Sequence, residues 1–412
     1  MSNVRMLNRC IFLGIVLVFA AVPVSGRQIL TEHEQSGYEN YTSYENMMKF
    51  LLDIKAASTE MQLGIVGKAL LGREIPYAVF SRPAISKPWE ALVSGKPVVV
   101  LAANIHGNER TLRESNMILI RELATKGTEM NKLLDDLVIL MVPSINPDGF
   151  NAQPRATRGN ALGVDLNRDY MKLEQPALVA YVQNIWHAWH PHIFVDGHNG
   201  GSYPYNINYH GPCVASADRR LELLCDREIY PFITKKMEEN GYKAWYYSGG
   251  DREQWRVGSF DPRSGKNYAP FVNCISILFE SPGGQDMETA AKSGLVAYKA
   301  ILQYVSQNAD KVKMHVERAR RETIEMGKSA AGDVVVQMKH VAEDYKVSYE
   351  IAEGRGEDRR IIKVTGAEII KKPVATKTRP RPYAYNLEDR AVEAIELLKR
   401  HNITVEVLQK DA

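Results

Sequence analysis

Short, strongly apolar runs closed by turn-forming residues recur along most of this chain, and they constrain its fold more than any other feature. They are Pro97–Ala103, Leu137–Ile145, His192–Asp196 and Cys274–Phe279. Each is strand-length and apolar on both faces, which is the pattern of a strand buried on both sides of a sheet. Two weaker β-like runs, Met61–Ile65 and Ile75–Phe80, come earlier, after helical periodicity over Tyr44–Ala56. Amphipathic stretches of helical length, Leu112–Leu123 and Ala177–His190, lie between the strong runs. Buried strands alternating with helices predict an α/β fold with a mostly parallel sheet covered by helices on both faces.

One or two long helices over Met287 to about Arg321 are expected to close this unit. Ser329–Asp333 is small and Gly-containing and reads as a linker. Beyond it the pattern changes to alternation, Val347–Ile351 and Ile361–Val364, then a helix Leu387–Arg400 and a last strand Thr404–Leu408. The expected plan is therefore a polar arm over 27–43, a large domain over 44–328, and a small α+β domain of unknown role over 329–412. The basic stretch Lys371–Arg381, which contains Pro373 and Pro380 and is followed by Pro382, reads as a solvated edge segment.

Residues 1–26 stand apart. Arg5 and Arg9 precede an apolar run, Ile11–Val24, and the small residues Ser25 and Gly26 follow. That is the layout of a secretory signal peptide. The run is shorter than the roughly 20 residues a bilayer crossing needs, so no stable membrane span is expected once it is removed. The expected location is secreted or periplasmic. With little chain before the first helix to form a pro-domain, the protein is expected to be active as secreted. Cys213, Cys225 and Cys274 would remain, too few for a disulfide scaffold and without metal-site spacing. Cys213 and Cys225 are the nearest possible pair, and burial as small apolar residues is the plainer role. A net charge of +3, with Lys and Arg spread along the chain, gives no reason to expect nucleic acid.

Polar residues cluster where the buried runs end. Pro97–Ala103 leads into Asn104-Ile105-His106-Gly107-Asn108-Glu109, His192–Asp196 into Gly197-His198-Asn199-Gly200, and Cys274–Phe279 into Glu280-Ser281-Pro282. In open α/β sheets, ligands gather beyond the carboxyl ends of the strands. Two imidazoles and a carboxylate form a common catalytic zinc set with one position left for water. His106 and Glu109 can chelate from one turn, His198 can complete the set, and a second Glu is free to act as base.

The string His106-Gly-Asn-Glu109, Asn146-Pro-Asp-Gly149, Gly163-Val-Asp-Leu-Asn-Arg168, His198 and Phe279-Glu280 resembles the M14 zinc carboxypeptidases in order and spacing, over roughly Tyr44 to Val305. The resemblance implies a mixed eight-stranded sheet sandwiched by helices and one Zn2+ ion. It implies His106, Glu109 and His198 as zinc ligands and Glu280 as general base. Arg158 would polarise the scissile carbonyl, Asn167 and Arg168 would grip the substrate's terminal carboxylate, and Asp165 would orient the first zinc histidine. The implied substrates are the C-termini of peptides or proteins.

This chain departs from the family pattern in places. The family's mobile tyrosine is expected shortly before a Gly-Gly pair, and both Tyr246 and Tyr247 precede Gly249-Gly250 at shortened spacing. Asp169 stands where Asn is frequent, and Glu253 falls near where side-chain preference is set, which would favour a basic terminal residue. His187, His190 and His192 form a second cluster, read as aromatic packing and helix termination. Asn146–Gly149 reads as a turn. Gly327-Lys328-Ser329 lacks the first glycine of a phosphate loop, where Glu322 stands. Asn40 and Asn402 begin glycosylation sequons. Two other functions fit the pattern: a zinc amidase or endopeptidase acting on cell-wall stem peptides, and a catalytically silent peptide-binding module. An intact Asn167-Arg168 pair argues against the first, and a complete set of ligands and base against the second.

Overall fold

The structure, a computed structural model, describes residues 28–354 and 356–408. The signal-peptide reading lies outside the described residues. Thirteen strands occur among those described. They are β1 (Met61–Lys68), β2 (Glu74–Phe80), β3 (Val98–Ala103), β4 (Val138–Val142), β5 (Ile193–Asn199), β6 (Ile207–His210), β7 (Ala244–Tyr246), β8 (Ser248–Gly250), β9 (Gln254–Val257), β10 (Ile275–Ser281), β11 (Asp333–Ala342), β12 (Val347–Glu353) and β13 (Arg360–Pro380).

An eight-stranded sheet runs β1-β2-β4-β3-β5-β10-β6-β7. Its centre, β4-β3-β5-β10, is parallel, while β1, β2 and the β10–β6 contact are antiparallel. Alternate side chains feed two cores. Val99, Leu101, Val195 and Ile277 pack under the helices Tyr44–Ala57, Thr111–Ala124 and Met287–Gln307. Val98, Val100, Ala102 and Phe194 pack on the other face against Leu178, Tyr181 and Trp186. Each such fully buried aliphatic side chain contributes ~1.5–3 kcal/mol relative to exposure. Side-chain caps set the helix starts: Ser43 accepts from the Asn46 N–H and Asp286 from the Thr289 N–H.

The expected helix Ala177–His190 is a regular helix only over Pro176–Tyr181, widening to a π-turn at Val182–His187. It stops where His190 takes a left-handed φ of 47°. The arm before residue 44 is anchored rather than loose. Thr31 caps the turn Glu32–Gln35, Thr42 bonds Glu114, and Glu34 pairs with Arg121.

The two long helices are Met287–Gln307 and Ala309–Lys328. Beyond them, β13 takes both β11 and β12 as antiparallel partners. At Glu368–Ile370 it also pairs in parallel with Gln254–Arg256 of β9, so the second sheet, β11-β13-β9-β8, draws strands from both sides of residue 329. Tyr349 and Ile369 share one core with Trp255, and the Tyr349 and Trp255 rings lie 4.9 Å apart. No strand forms at Thr404–Leu408, and the expected Leu387–Arg400 helix shortens to Val392–Arg400. Lys371, expected on a solvated edge, is buried, although the strand beyond Val374 is exposed as anticipated. No described helix is long and apolar enough to cross a membrane.

Candidate metal centre and active site

Parallel pairing aligns the carboxyl ends of β3, β5 and β10, with Ala103 opposite Gly197 and Glu280 opposite His198. His198 and Glu280 lie within their strands rather than just beyond them, since β5 and β10 run to Asn199 and Ser281. After β3 the chain turns at Asn104, whose φ of 58° is stabilised by its own side chain. The Asn104 amide donates to the carbonyls of His106, Gly107 and Glu109, fixing both prospective ligands on one loop. Gly107 has to be glycine, because a Cβ there would come within 2.2 Å of the Gly149 backbone. The Asn146–Gly149 turn thus braces the loop, and the Asn146 amide donates to the Ile105 carbonyl at 3.1 Å.

His106 Nδ1 lies 2.8 Å from Glu109 Oε1, His198 Nδ1 lies 2.8 Å from Glu109 Oε2, and the two Nδ1 atoms are 3.1 Å apart. All three side chains are buried. His106 Nε2 faces Asp165 Oδ1 at 3.1 Å, and His198 Nε2 faces Asp196 Oδ2 at 2.9 Å. Carboxylates only accept, so they favour a proton on each Nε2 and a lone pair on each Nδ1. Two lone pairs and a carboxylate converging at this distance repel unless a cation or proton lies among them. The donor set therefore fits a zinc ion, with no lysine or arginine at its centre. Burial opposes protonation of His198, but Asp196 and Glu109 outweigh it and raise its pKa well above the usual value. Burial likewise opposes ionisation of Glu109, yet His198 and His106 hold it well below the usual carboxylate range.

Glu280 is buried beside this triangle, and a Cβ on Gly200 would come within 2.6 Å of its Oε2, so glycine leaves room for the carboxylate. Burial raises the Glu280 pKa to about 8, aided by Glu109 and Asp196 and opposed by His198 and Arg158. Half-exposed Arg158 reaches Glu109 Oε1 at 3.1 Å and Asp165 Oδ2 at 3.0 Å, which aims it at the rim of the triangle. Asp165 also accepts from the Asn167 N–H at 2.9 Å. Asn167 is buried, its side-chain Oδ1 accepting from the Gly265 N–H at 2.9 Å, while Arg168 is exposed.

The two candidate tyrosines separate. Tyr246 belongs to β7 and points into the core, where it packs on Tyr209 and Tyr230 and donates to Asp226 at 2.9 Å. It has no place at the metal centre, because strand alternation sends consecutive residues to opposite faces. Tyr247 is on the site side. Burial pushes its hydroxyl up to about 12, with Glu280 and Glu109 adding to the rise and Arg158 and Arg168 opposing it. Glu253 is exposed at the far end of the β8–β9 hairpin, since Ser248, next to Tyr247, pairs with Val257 and Gly250 with Trp255. It is not at the site.

Asp196 went unread in the sequence because it sits inside an apolar run. The available signal was its spacing of two from His198, which places both on one face of β5. The three described cysteines, Cys213, Cys225 and Cys274, are buried and free. His192 accepts from the Val98 N–H at 3.0 Å, and burial lowers the His192 and His187 pKa values to about 3 and about 4, in keeping with packing and helix termination. A cavity of about 700 Å3 lies away from this chemistry, between Tyr230, Tyr246 and the start of β12.

A mixed sheet with cation donors at the carboxyl ends of its central parallel strands is the layout of a metal-dependent hydrolase. The comparisons narrow this: residues 47–257 match Peptidase_M14, zinc carboxypeptidase, and the chain belongs to that family. Membership implies a peptide hydrolase. Glu280 lies beyond the matched segment, so its assignment rests on geometry. Carboxypeptidase 2 of Trichophyton rubrum is 27% identical over 84% of this chain and 66% of its own length. Carboxypeptidase 2 of Trichophyton equinum is 30% identical over 61% of this chain and 49% of its own. The chain thus spans between half and two-thirds of the length of these relatives. Among solved structures, the metallo-carboxypeptidase of Burkholderia cenocepacia shares the fold with TM-score 0.52 at 20% identity, covering 65% of this chain and 70% of that one. Carboxypeptidase A of Helicoverpa armigera gives TM-score 0.52 at 18% identity, with 66% and 75% covered.

Proposed function

We propose that this protein is an exported zinc metallocarboxypeptidase that hydrolyses the C-terminal peptide bond of peptides or proteins. The observation that carries the reading is the buried triangle of His106, Glu109 and His198 with the Glu280 carboxyl beside it. Zinc held by the three side chains would lower the pKa of a water toward ~7 and polarise the scissile carbonyl. Asp165 and Asp196 keep the imidazoles oriented with their Nδ1 atoms inward. Glu280 takes the proton of the attacking water and returns it to the departing amine. A carboxyl whose pKa stands at about 8 can do both near neutrality. Arg158, steered by Asp165 and Glu109, faces the developing oxyanion. Arg168 holds the terminal carboxylate, which a guanidinium can do in bidentate fashion. Asn167, tied to Gly265 and within 3.4 Å of His198 Nε2, fixes the loop that presents Arg168. Tyr247 covers the site from the β7–β8 side. Export rests on the signal-like residues 1–26.

A mixed peptide pool, half with free C-terminal acids and half amidated, tests this by mass spectrometry of the products. Truncation ladders from the free acids alone, abolished by a zinc chelator, are expected. Internal cuts or equal attack on amides would remove Arg168 from its role and favour the cell-wall amidase or endopeptidase reading.

A further inference from the structure

Lys266 is a buried cation the mechanism above does not use. It lies on the short helix Gly265–Tyr268 leading into β10 and is 6% exposed. Its ammonium donates to the Ser259 carbonyl at 2.8 Å and approaches Asn267 Oδ1 at 3.5 Å and Cys213 Sγ at 3.7 Å. Among the described residues no carboxylate pairs with it, and its close partners are all uncharged. Burial raises the Cys213 thiol pKa and drives the His210 imidazole pKa well below its usual value, so both are neutral near pH 7. Burial lowers the pKa of Lys266 itself. A cation held this way, without a counter-charge, is costly unless something supplies one.

Its position relative to the site is defined from three directions. First, β6 pairs with β10 so that Asn208 stands opposite Glu280 and His210 opposite Leu278, one pleat further along. His210 Nε2 is 3.0 Å from Cys213 Sγ, which is in turn the sulfur that Lys266 approaches. Second, a Cβ on Gly258 would stand 2.9 Å from Tyr247 Cε1 and 4.0 Å from Lys266 Nζ, so the tyrosine ring and the ammonium flank one glycine. Third, the residue before Lys266 is bonded to Asn167. On the proposed mechanism, a terminal residue gripped at Arg168 with its scissile bond beside Glu280 would send its side chain toward Tyr247 and His210. Lys266 stands next to both, across Gly258 from the one and across Cys213 from the other.

We propose that Lys266 reads the side chain of the substrate's terminal residue and selects an acidic one, aspartate or glutamate. The incoming carboxylate completes the ion pair that the fold leaves open. This rests on the carboxypeptidase reading, and it reverses the basic preference expected from Glu253, which lies elsewhere.

The test compares kcat/KM for matched peptides ending in Glu, Gln, Lys and Leu, using the purified zinc-loaded protein. Glu and Gln are near-isosteric, and a charge-assisted hydrogen bond to a buried cation should favour Glu by about 10- to 100-fold. Lys266→Met should bring the Glu-to-Gln ratio to within about threefold, and Lys266→Arg should keep a preference for Glu. The wild-type ratio decides the matter even if the methionine variant does not fold. A wild-type ratio near one, a preference for Lys, or a Glu preference that persists in Lys266→Met each overturns the assignment while leaving the carboxypeptidase standing. Release of no terminal residue from any peptide overturns the carboxypeptidase reading and this proposal with it.

Discussion

Two triangles of potential metal ligands form among the described residues, and they differ in what already occupies them. His106, Glu109 and His198 make the first, and Glu222, Asp226 and Glu343 the second; in each, the ligand atoms lie within 4.8 Å of one another. The second already holds cations. The Lys371 ammonium contacts Asp226, approaches Glu343 Oε1 at 3.2 Å and Glu222 Oε1 at 3.7 Å, and Arg219 pairs with Glu222 and Glu343. The first has only Arg158, at its rim. Proximity of acidic groups is therefore no sign of a metal. What distinguishes the first triangle is a pair of imidazole nitrogens converging on one carboxylate with no ammonium seated among them. The second ties β13 to the helix Arg219–Leu224 and serves the packing of the last strands.

The largest effect should come from breaking the first triangle and leaving the second alone. His198→Ala should take bound zinc, measured by elemental mass spectrometry, from one ion per chain to none. Turnover should fall by at least about 10³-fold, since the metal's charge stabilisation is worth several kcal/mol. Asp226→Asn should leave the zinc count at one. Glu280→Gln sharpens the contrast by separating chemistry from metal holding: kcat should drop by about 10²- to 10⁴-fold with the zinc retained. Zinc lost from the Asp226 variant, or kept by His198→Ala, would exchange the roles of the two sites.

How much of this was legible in the sequence follows the same division. The first triangle was readable because each member sits at the end of an unmistakable apolar strand, so the sheet's topology alone brings His106, Glu109, His198 and Glu280 to one rim. Asp196 was hidden because a charged residue inside an apolar run carries no motif, only a spacing of two. The tyrosines were undecided because a run of two adjacent tyrosines does not show which faces the core. The packing of Tyr246 on Tyr209 and Tyr230 shows that it is the one facing the core, and the pairing register of β8 and β9 moves Glu253 away. The second triangle was invisible. Its members come from a helix, a π-turn, the end of β11 and the middle of β13, and nothing local marks Lys371 as buried. Its flanking prolines and basic neighbours suggested a solvated edge, which holds for the strand beyond it.

A mid-sized effect is expected on stability from the second triangle. Lys371→Met removes one buried partner and leaves three carboxylates facing one another. Breaking a buried ion pair in this way costs ~3–5 kcal/mol, which urea titration would read as a lower midpoint. The kcat per folded molecule should stay near that of the wild type. A variant as stable as the wild type would mean that Arg219 alone balances the carboxylates.

The smallest effect is a pH signature, and its sign follows from Lys371. Burial disfavours the ammonium, but Asp226 and Glu222 outweigh it and raise the folded-state pKa above the ordinary lysine value. A raised lysine contributes stability that is fully present below the unfolded pKa of ~10.4 and is lost as pH climbs through the folded value. On the acid side the cluster's contributions oppose one another. Burial raises Glu222, so its contribution grows as pH falls; in Glu343, burial is outweighed by Lys371 and Arg219, which lower the pKa, so its contribution shrinks. Tyr246 and Tyr345 face the same ammonium, and burial raises both, so their ionisation on unfolding also lowers stability in the alkaline range. The reading must therefore be a difference. Wild-type Tm should fall more steeply than that of Lys371→Met above about pH 10.4, whereas on the acid side the variant, its carboxylates no longer held down by the ammonium, should gain on the wild type as pH falls. Curves that stay parallel throughout would mean the ammonium gains nothing from its carboxylates, and the second triangle would then be packing without electrostatic gain.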